Sequence, residues 1–304
     1  MSYRDTAHIS SRKNRSERDE HYGNIMSNEV ETIKNPLTDA KVSPKARGRA
    51  TFVRTNTQLS HFERFKQVSQ ICASKAIAVK TLGDEKIHSQ MSLDMGICIL
   101  CGRCRDAAPD LFKMESKFAP PARERSDLIE RYDLETTLSL SGKLTSQEAL
   151  GSELNDRIHK VLGRSLAVRE VDAGSCNGCE VEINALNNPI YDIERFGIHF
   201  VASPRHADVL LVTGPVSRSM EVALRRTYEA APDPKIVVAI GACGCSGGIF
   251  GESYASVGGV DRVVPVDVYV QGCPPRPQAI LQGLLTAVAK IGKSGGTIKH
   301  QSQC

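Results

Sequence analysis

The sequence has no tryptophan, no run of about 18 apolar residues and no apolar core of a signal peptide. These absences predict an intracellular, soluble chain without a membrane anchor of its own, so that any membrane association comes through partners. A strong charge is missing as well. Lys plus Arg number 39 and Asp plus Glu 35, a net charge of +4, and the basic excess lies in the first 66 residues. The balance implies neither a nucleic-acid nor a membrane-surface partner for the body of the protein. Within the basic runs SSRKNRSERDEH and KVSPKARGRA, no aromatic residues interleave as a nucleic-acid arm would need. Residues 1 to about 55 are polar, mixed in charge and almost without apolar periodicity. Such a segment cannot bury enough surface to offset its ordering entropy and is expected to be disordered or draped over a partner.

What the chain does have is cysteine, ten in all among 304 residues. In a reducing compartment, grouped cysteines are more often metal ligands or catalytic thiols than disulfides. The stretch Val171 to Glu182, VDAGSCNGCEVE, places Cys176 and Cys179 on an expected strand-to-helix turn. Cys243 in AIGACGCSGG and Cys273 in YVQGCPPRP answer it, each where an apolar β-run stops in glycine.

From residue 166 onward, strand and helix patterns alternate. Leu166–Val171, Ile198–Val201, Val209–Thr213, Lys235–Ile240 and Val266–Val270 read as strands. Helices are expected from about Glu180 to before Pro189, over SMEVALRRTYEAA, and over PQAILQGLLTAVAKI. The alternation argues for an α/β fold, a flavodoxin-like doubly wound parallel sheet, in which ligands sit beyond the carboxyl ends of the strands. Folding such a sheet brings Cys176, Cys179, Cys243 and Cys273 to one edge. Four thiolates at one point suit either zinc or an iron–sulfur cubane. Two of the four arrive singly from distant turns, which suits the larger cubane better than zinc, whose thiolates usually come in pairs. Glycines in the same turns let backbone N–H groups approach the sulfurs and tune such a centre.

A second group lies between residues 56 and 120. Cys98, Cys101 and Cys104 in GICILCGRC have the C-x2-C-x2-C spacing that wraps three thiolates round one face of a cubane. The segment resembles bacterial-type ferredoxins, in which the run continues to a cysteine before proline that serves a second cluster. Here Ala108 stands before Pro109. QICASKAIAV resembles the segment that ends a ferredoxin motif, with Cys72 as the fourth ligand and Ala73 in place of proline. Counting back by the ferredoxin spacing puts Phe62, Phe65 and Val68 where three more cysteines would stand. The resemblance therefore implies a small α+β ferredoxin-like domain with one 4Fe-4S cluster lost and its cavity refilled. The other is kept by Cys72, Cys98, Cys101 and Cys104. The alternatives are a buried, unligated Cys72 and a zinc knuckle.

Between the two regions, residues 121–165 read as a linker. It begins in APPARERSD and contains Leu150, Leu154, Ile158 and Leu162 at four-residue spacing, an amphipathic helix over about 146–163. Domains are thus expected at 1–55, 56–120, 121–165 and 166–304.

SCNGCE, PRHADVLLVTG, GACGCSGGIF and PVDVYVQGCPPRP closely resemble the small iron–sulfur subunit of energy-converting, formate hydrogenlyase-type NiFe hydrogenases. They also resemble the complex I subunit that carries the cluster nearest the quinone. The resemblance implies a proximal 4Fe-4S cluster on Cys176, Cys179, Cys243 and Cys273, so two 4Fe-4S clusters in all. It also implies a hydrogenase- or complex I-type large subunit as partner, other ferredoxin-like or dehydrogenase subunits, and membrane subunits that hold the chain at the cytoplasmic face of the inner membrane. Asn177 and Gly178 separate the first two cysteines as in the hydrogenase branch, whereas complex I subunits place two cysteines side by side. Gln271 occupies a usual proline position. Glu180 and Glu182 follow the cluster turn, and Glu180 is a candidate for a proton path; acids there equally suit the first turn of a helix. Cys245, two residues from Cys243, reads as a packed thiol, with an alternative ligand as the other reading; Cys304 reads as a free thiol, and His206 and Arg276 as surface, capping or partner-facing residues. A zinc-stabilised interaction module is the reading of another class.

Overall fold

The computed structural model describes residues 42–43, 45–53, 62–82, 88–133 and 164–293. The N-terminal segment up to residue 41, the helix expected over 146–163 and Cys304 lie outside these residues.

The first unit contains, in chain order, β1 (Arg49–Phe52), α1 (Phe62–Ile71), β2 (Ile77–Leu82), β3 (His88–Asp94), α2 (Arg103–Ala107), β4 (Phe112–Glu115) and β5 (Ile129–Asp133). Strand β1 pairs antiparallel with β4, and β3 lies between β2 and β5 in a second antiparallel sheet. Strands from both flanks, β1 and β5, therefore complete a unit whose sequence signal is confined to 56–120. Phe62, Phe65 and Val68 recur every third residue and fall on one stripe of α1. Phe65 and Val68 are buried with Ala108 in a single core, and Phe62 packs against it. The Phe65 ring meets Phe52 edge-on at 5.5 Å and Phe112 at 6.3 Å. Close-packed aromatic and aliphatic groups occupy these positions, and burying Phe65 and Val68 contributes about 1.5–3 kcal/mol each.

The second unit runs β6 (Leu166–Asp172), α3 (Gly178–Ala185), β7 (Ile198–Phe200), β8 (Val209–Thr213), β9 (Val216–Ser217), α4 (Arg218–Ala230), β10 (Ile236–Ile240), α5 (Gly241–Ser246), β11 (Ser256–Gly258), β12 (Val268–Val270) and α6 (Pro277–Lys293). Five strands form one parallel sheet in the order β12-β10-β8-β6-β7. This is the flavodoxin-like doubly wound order, with its switch point between β6 and β8. The central strands VLLVT and IVVAI are buried throughout because helices cover both faces of the sheet. Side chains alternate between two cores. Val209, Leu211, Ile236, Val238 and Ile240 face one, and Leu210, Val212, Val237 and Ala239 face the other. Strand β12 is shorter than the pattern Val266–Val270, and Cys243 lies on the short helix α5 rather than in an open glycine turn.

The units are joined by backbone as well as side chains. Ala122 and Tyr269 exchange two backbone hydrogen bonds at 2.9 and 2.8 Å. Phe118 packs against one core of the large sheet, and Ala122 and Leu128 enter the other.

Candidate metal centres

At the switch point, the chain leaving β6 is shaped by its own side chains. Asp172 Oδ1 accepts hydrogen bonds from the N–H groups of Gly174 and Ser175 at 2.8 and 2.7 Å, and Ser175 Oγ accepts from Asn177 N–H at 3.0 Å. Asn177 then adopts a left-handed conformation, φ 66°, and starts α3. The turn leaves Cys176 exposed and tucks Cys179 inward. Strand β10 ends in Gly241, at φ +79°, where a Cβ would lie 2.7 Å from the Cys179 sulfur. Only glycine lets the chain turn here while that sulfur rests against it. Gly248 does the same for Cys243, with a built Cβ 2.9 Å from its sulfur. Ala242 N–H donates to Gly272 O at 2.7 Å and so ties the Cys243 helix to the Cys273 loop.

Cys176, Cys179, Cys243 and Cys273 are therefore brought together. The negative charges of the other three all oppose ionisation of Cys179, and those of Cys176 and Cys273 oppose that of Cys243. Burial is the larger cause in both cases: it raises the Cys179 thiol far above its ordinary value and pushes Cys243 up to about 11. Burial likewise raises Cys273, with Cys176 adding to it. Such thiols are neutral while metal-free, and a bound cation would replace their protons.

The second quartet forms beside α1. Cys72 follows the last turn of that helix, its N–H donating to Val68 O at 3.1 Å. Cys98 N–H donates to Asp94 O at 3.2 Å, and Leu100 (φ 55°) and Gly102 (φ 80°) bend the loop so that Cys101 and Cys104 turn back on it. Arg47 Nη1 donates to the Cys101 carbonyl. The four cysteines line a pocket, open in part to solvent, whose remaining walls include Ala50, Ile77 and Leu93. Burial pushes Cys98 up to about 12, with charges at Cys104, Cys72 and Cys101 adding to the shift; burial also raises Cys104.

Among the described residues, no three of Cys, His, Asp and Glu converge closely enough for one ion. A tetrahedral zinc would draw its sulfurs to about 2.3 Å from a common centre. In both sets all donors are soft thiols, so the residues present fit an iron–sulfur group, as they would fit zinc.

The remaining candidates separate by position. Glu180 is 8% exposed, and neither carboxylate oxygen has a hydrogen-bond partner. Its charge opposes ionisation of Glu170, Cys179 and Cys243, which places it beneath the first quartet. Glu182 is half-buried and raised by burial, with Arg276 opposing the shift. His206 is exposed on a short helical turn. Cys245 is fully buried, its sulfur 3.7 Å from Val270 O and 3.9 Å from Ala239 O, a packed thiol beside the quartet. Gln271, whose only signal is a departure from proline, donates to Pro120 O at 3.1 Å and anchors the Cys273 loop to the first unit. Ser246, Gly96, Asp94 and Arg125 meet between the quartets; Gly96 opens GICILCGRC and Ser246 lies within GACGCSGGIF, but the cysteine spacing gives neither of them a role.

A family model described as NADH ubiquinone oxidoreductase, 20 Kd subunit, matches residues 176–287, a span that contains the whole first quartet. The chain is 54% identical over 134 residues to a probable membrane-bound hydrogenase subunit of Pyrococcus furiosus, covering 44% of this chain and 80% of that one. It is 51% identical over 148 residues to formate hydrogenlyase subunit 7 of Escherichia coli, covering 49% of this chain and 58% of that one. It is 49% identical over 115 residues to an NADH-quinone oxidoreductase subunit of Geotalea daltonii, covering 38% and 67% respectively.

Proposed function

We propose, for a chain that belongs to the NADH ubiquinone oxidoreductase 20 Kd subunit family, that it is the electron-transfer subunit of a membrane hydrogenase or complex I-like complex. The observation that carries the reading is the four-thiol set at the switch point, inside the region the family shares. A 4Fe-4S group held there by Cys176, Cys179, Cys243 and Cys273 takes up and gives up single electrons without making or breaking covalent bonds. The chain's part is to hold it: the glycines at 241 and 248 let the sulfurs close in, and the sheet edge fixes where they stand.

The hydrogenase branch is favoured over the complex I branch by Asn177 and Gly178, which separate the first two cysteines. The catalytic metal site then belongs to a large subunit. Val181, Ile249 and Phe250 are 59%, 56% and 54% exposed and follow directly on site residues, an apolar rim suited to being covered by such a partner. Among the described residues no helix is long and apolar enough to cross a membrane, so attachment to the cytoplasmic membrane face runs through partner subunits. Glu180, buried and unpartnered, is the candidate for carrying a proton between the site and the covering subunit.

The second quartet, Cys72, Cys98, Cys101 and Cys104, holds a further 4Fe-4S cluster that relays electrons to or from another ferredoxin-like or dehydrogenase subunit. Anaerobic iron and sulfide analysis with EPR of the reduced chain tests both assignments. About eight irons, with one signal lost in Cys72→Ala, is the expected result. About four irons, unchanged by Cys72→Ala, would remove the second cluster from the reading. Zinc without acid-labile sulfide would replace the electron-transfer reading with a structural one.

A further inference from the structure

The two quartets approach each other across a junction that their cysteine spacing does not announce. Gly96 stands two residues before Cys98, and Ser246 three residues after Cys243 on the short helix α5. The Ser246 hydroxyl lies 2.7 Å from the Gly96 carbonyl oxygen and 2.9 Å from that of Ala242, which is peptide-bonded to Cys243. A route from the Cys98 sulfur to the Cys243 sulfur is therefore made of covalent bonds, interrupted only at one hydroxyl.

We propose that this hydroxyl is the bridge over which single electrons pass between the two quartets inside one chain. The inference rests on the reading that both quartets hold iron–sulfur groups and adds the route. One electron leaves one site as the other accepts it; no bond is made or broken, and the hydroxyl proton stays on Ser246. Tunnelling falls off far more steeply across empty or loosely packed space than along bonds and short hydrogen bonds. A contact of this kind therefore sets the rate when the alternative routes are through-space.

The junction is held rigid. Asp94 accepts from Gly96 N–H at 2.9 Å through Oδ1 and from Arg125 Nη2 at 2.7 Å through Oδ2, while its backbone oxygen accepts from Cys98 N–H at 3.2 Å. The loop that carries Cys98 is thus pinned at the point where it meets α5. A Cβ on Gly96 would lie 2.8 Å from Arg125 Cζ and 2.9 Å from Leu128 Cδ1, so only a residue without a side chain lets the backbone pass this close to the guanidinium while its carbonyl faces Ser246. Two further ties, the Ala122–Tyr269 pair and the Gln271 bond to Pro120 O at 3.1 Å, stop the units from separating.

The test uses the full chain, anaerobically purified, as wild type, Ser246→Ala and Ser246→Thr. Iron and sulfide are measured first. Substoichiometric dithionite is then mixed in, and freeze-quench EPR follows how the first electron distributes between the two signals. Wild type is expected to show two signals that broaden one another and to equilibrate fast. Ser246→Ala is expected to keep all its iron and the same mutual broadening but to equilibrate several-fold more slowly. Ser246→Thr, which restores the hydroxyl, is expected to recover the rate. Full iron in both variants with unchanged equilibration in Ser246→Ala overturns the bridge and leaves the two-cluster reading standing. Half the iron in wild type overturns that reading and the bridge with it.

Discussion

Gly241→Ala isolates the contact on which the first quartet depends. The substitution acts in two ways that the structure separates. The residue has φ +79°, and an alanine in the left-handed region costs roughly 1–2 kcal/mol. In addition, the new methyl lies 2.7 Å from the Cys179 sulfur, whereas non-bonded carbon contacts are comfortable at about 3.5 Å or more. The shortfall, 3.5 − 2.7, is about 0.8 Å. Metal–ligand distances tolerate about 0.2 Å, so a sulfur displaced by four times that amount no longer ligates with the other three. Gly251→Ala is the control, because that residue has φ +53° and nothing within 4 Å of a built Cβ. It carries the backbone strain without the collision. The expected outcome is that Gly241→Ala drops from about eight irons to about four and loses the EPR signal of the first site alone. Gly251→Ala is expected to lose about 1–2 kcal/mol in urea unfolding and keep its iron. Full iron and both signals in Gly241→Ala would refute the reasoning, since the closest approach in the site would then be irrelevant to it.

Removing a ligand from the first quartet, as in Cys176→Ala, is expected to abolish hydrogen- or formate-linked electron transfer in the assembled complex while the second site's EPR signal persists. Phe65→Ala, which empties the packed centre of the first unit, is expected to cost about 3–5 kcal/mol, read from urea unfolding. Glu130 is 7% exposed and is paired with Arg49 and with the Tyr132 hydroxyl; Arg49→Ala leaves it without its cation and is expected to destabilise by about 3–5 kcal/mol. Cys245 lies outside both quartets, and burial pushes its thiol from about 9 to about 12. Because its folded value is raised, the stability it contributes is whole below pH 9 and is lost as pH rises through about 12. In the loaded chain, Cys245→Ala is expected to flatten the fall in unfolding free energy measured between about pH 9 and the onset of alkaline unfolding.

Much of the second unit is legible in the sequence because its strands are apolar on both faces. Runs such as VLLVT and IVVAI have one reading in a parallel sheet, and IVVAI leads directly into the turn that carries Cys243. The strand borders drift where apolar residues continue past the hydrogen-bonded ladder, as at Val266. In the first unit the cysteine spacing is legible, but the limits are not: β1 and β5 are short and join the unit only by pairing with strands distant in sequence. Glu180 is visible as an acid near the turn, but its lack of partners is not. Whether a carboxylate is orphaned depends on what the sheet and helices bring round it.

The sequence alone determined which residues can bind metal and in what order they come. Thiol spacing and the residue types at strand ends are local properties, and the left-handed turns at Asn177, Gly102 and Gly241 are specified by the few residues that tolerate them. Tertiary structure alone decided which thiols meet, how far burial raises them, and that the two quartets share a junction. Ser246 and Gly96 are 150 residues apart, and the cysteine patterns they sit in do not pair them. They are joined because the first unit pairs its backbone with β12 at Tyr269, and a contact created by docking two folded surfaces leaves no periodicity in either of them.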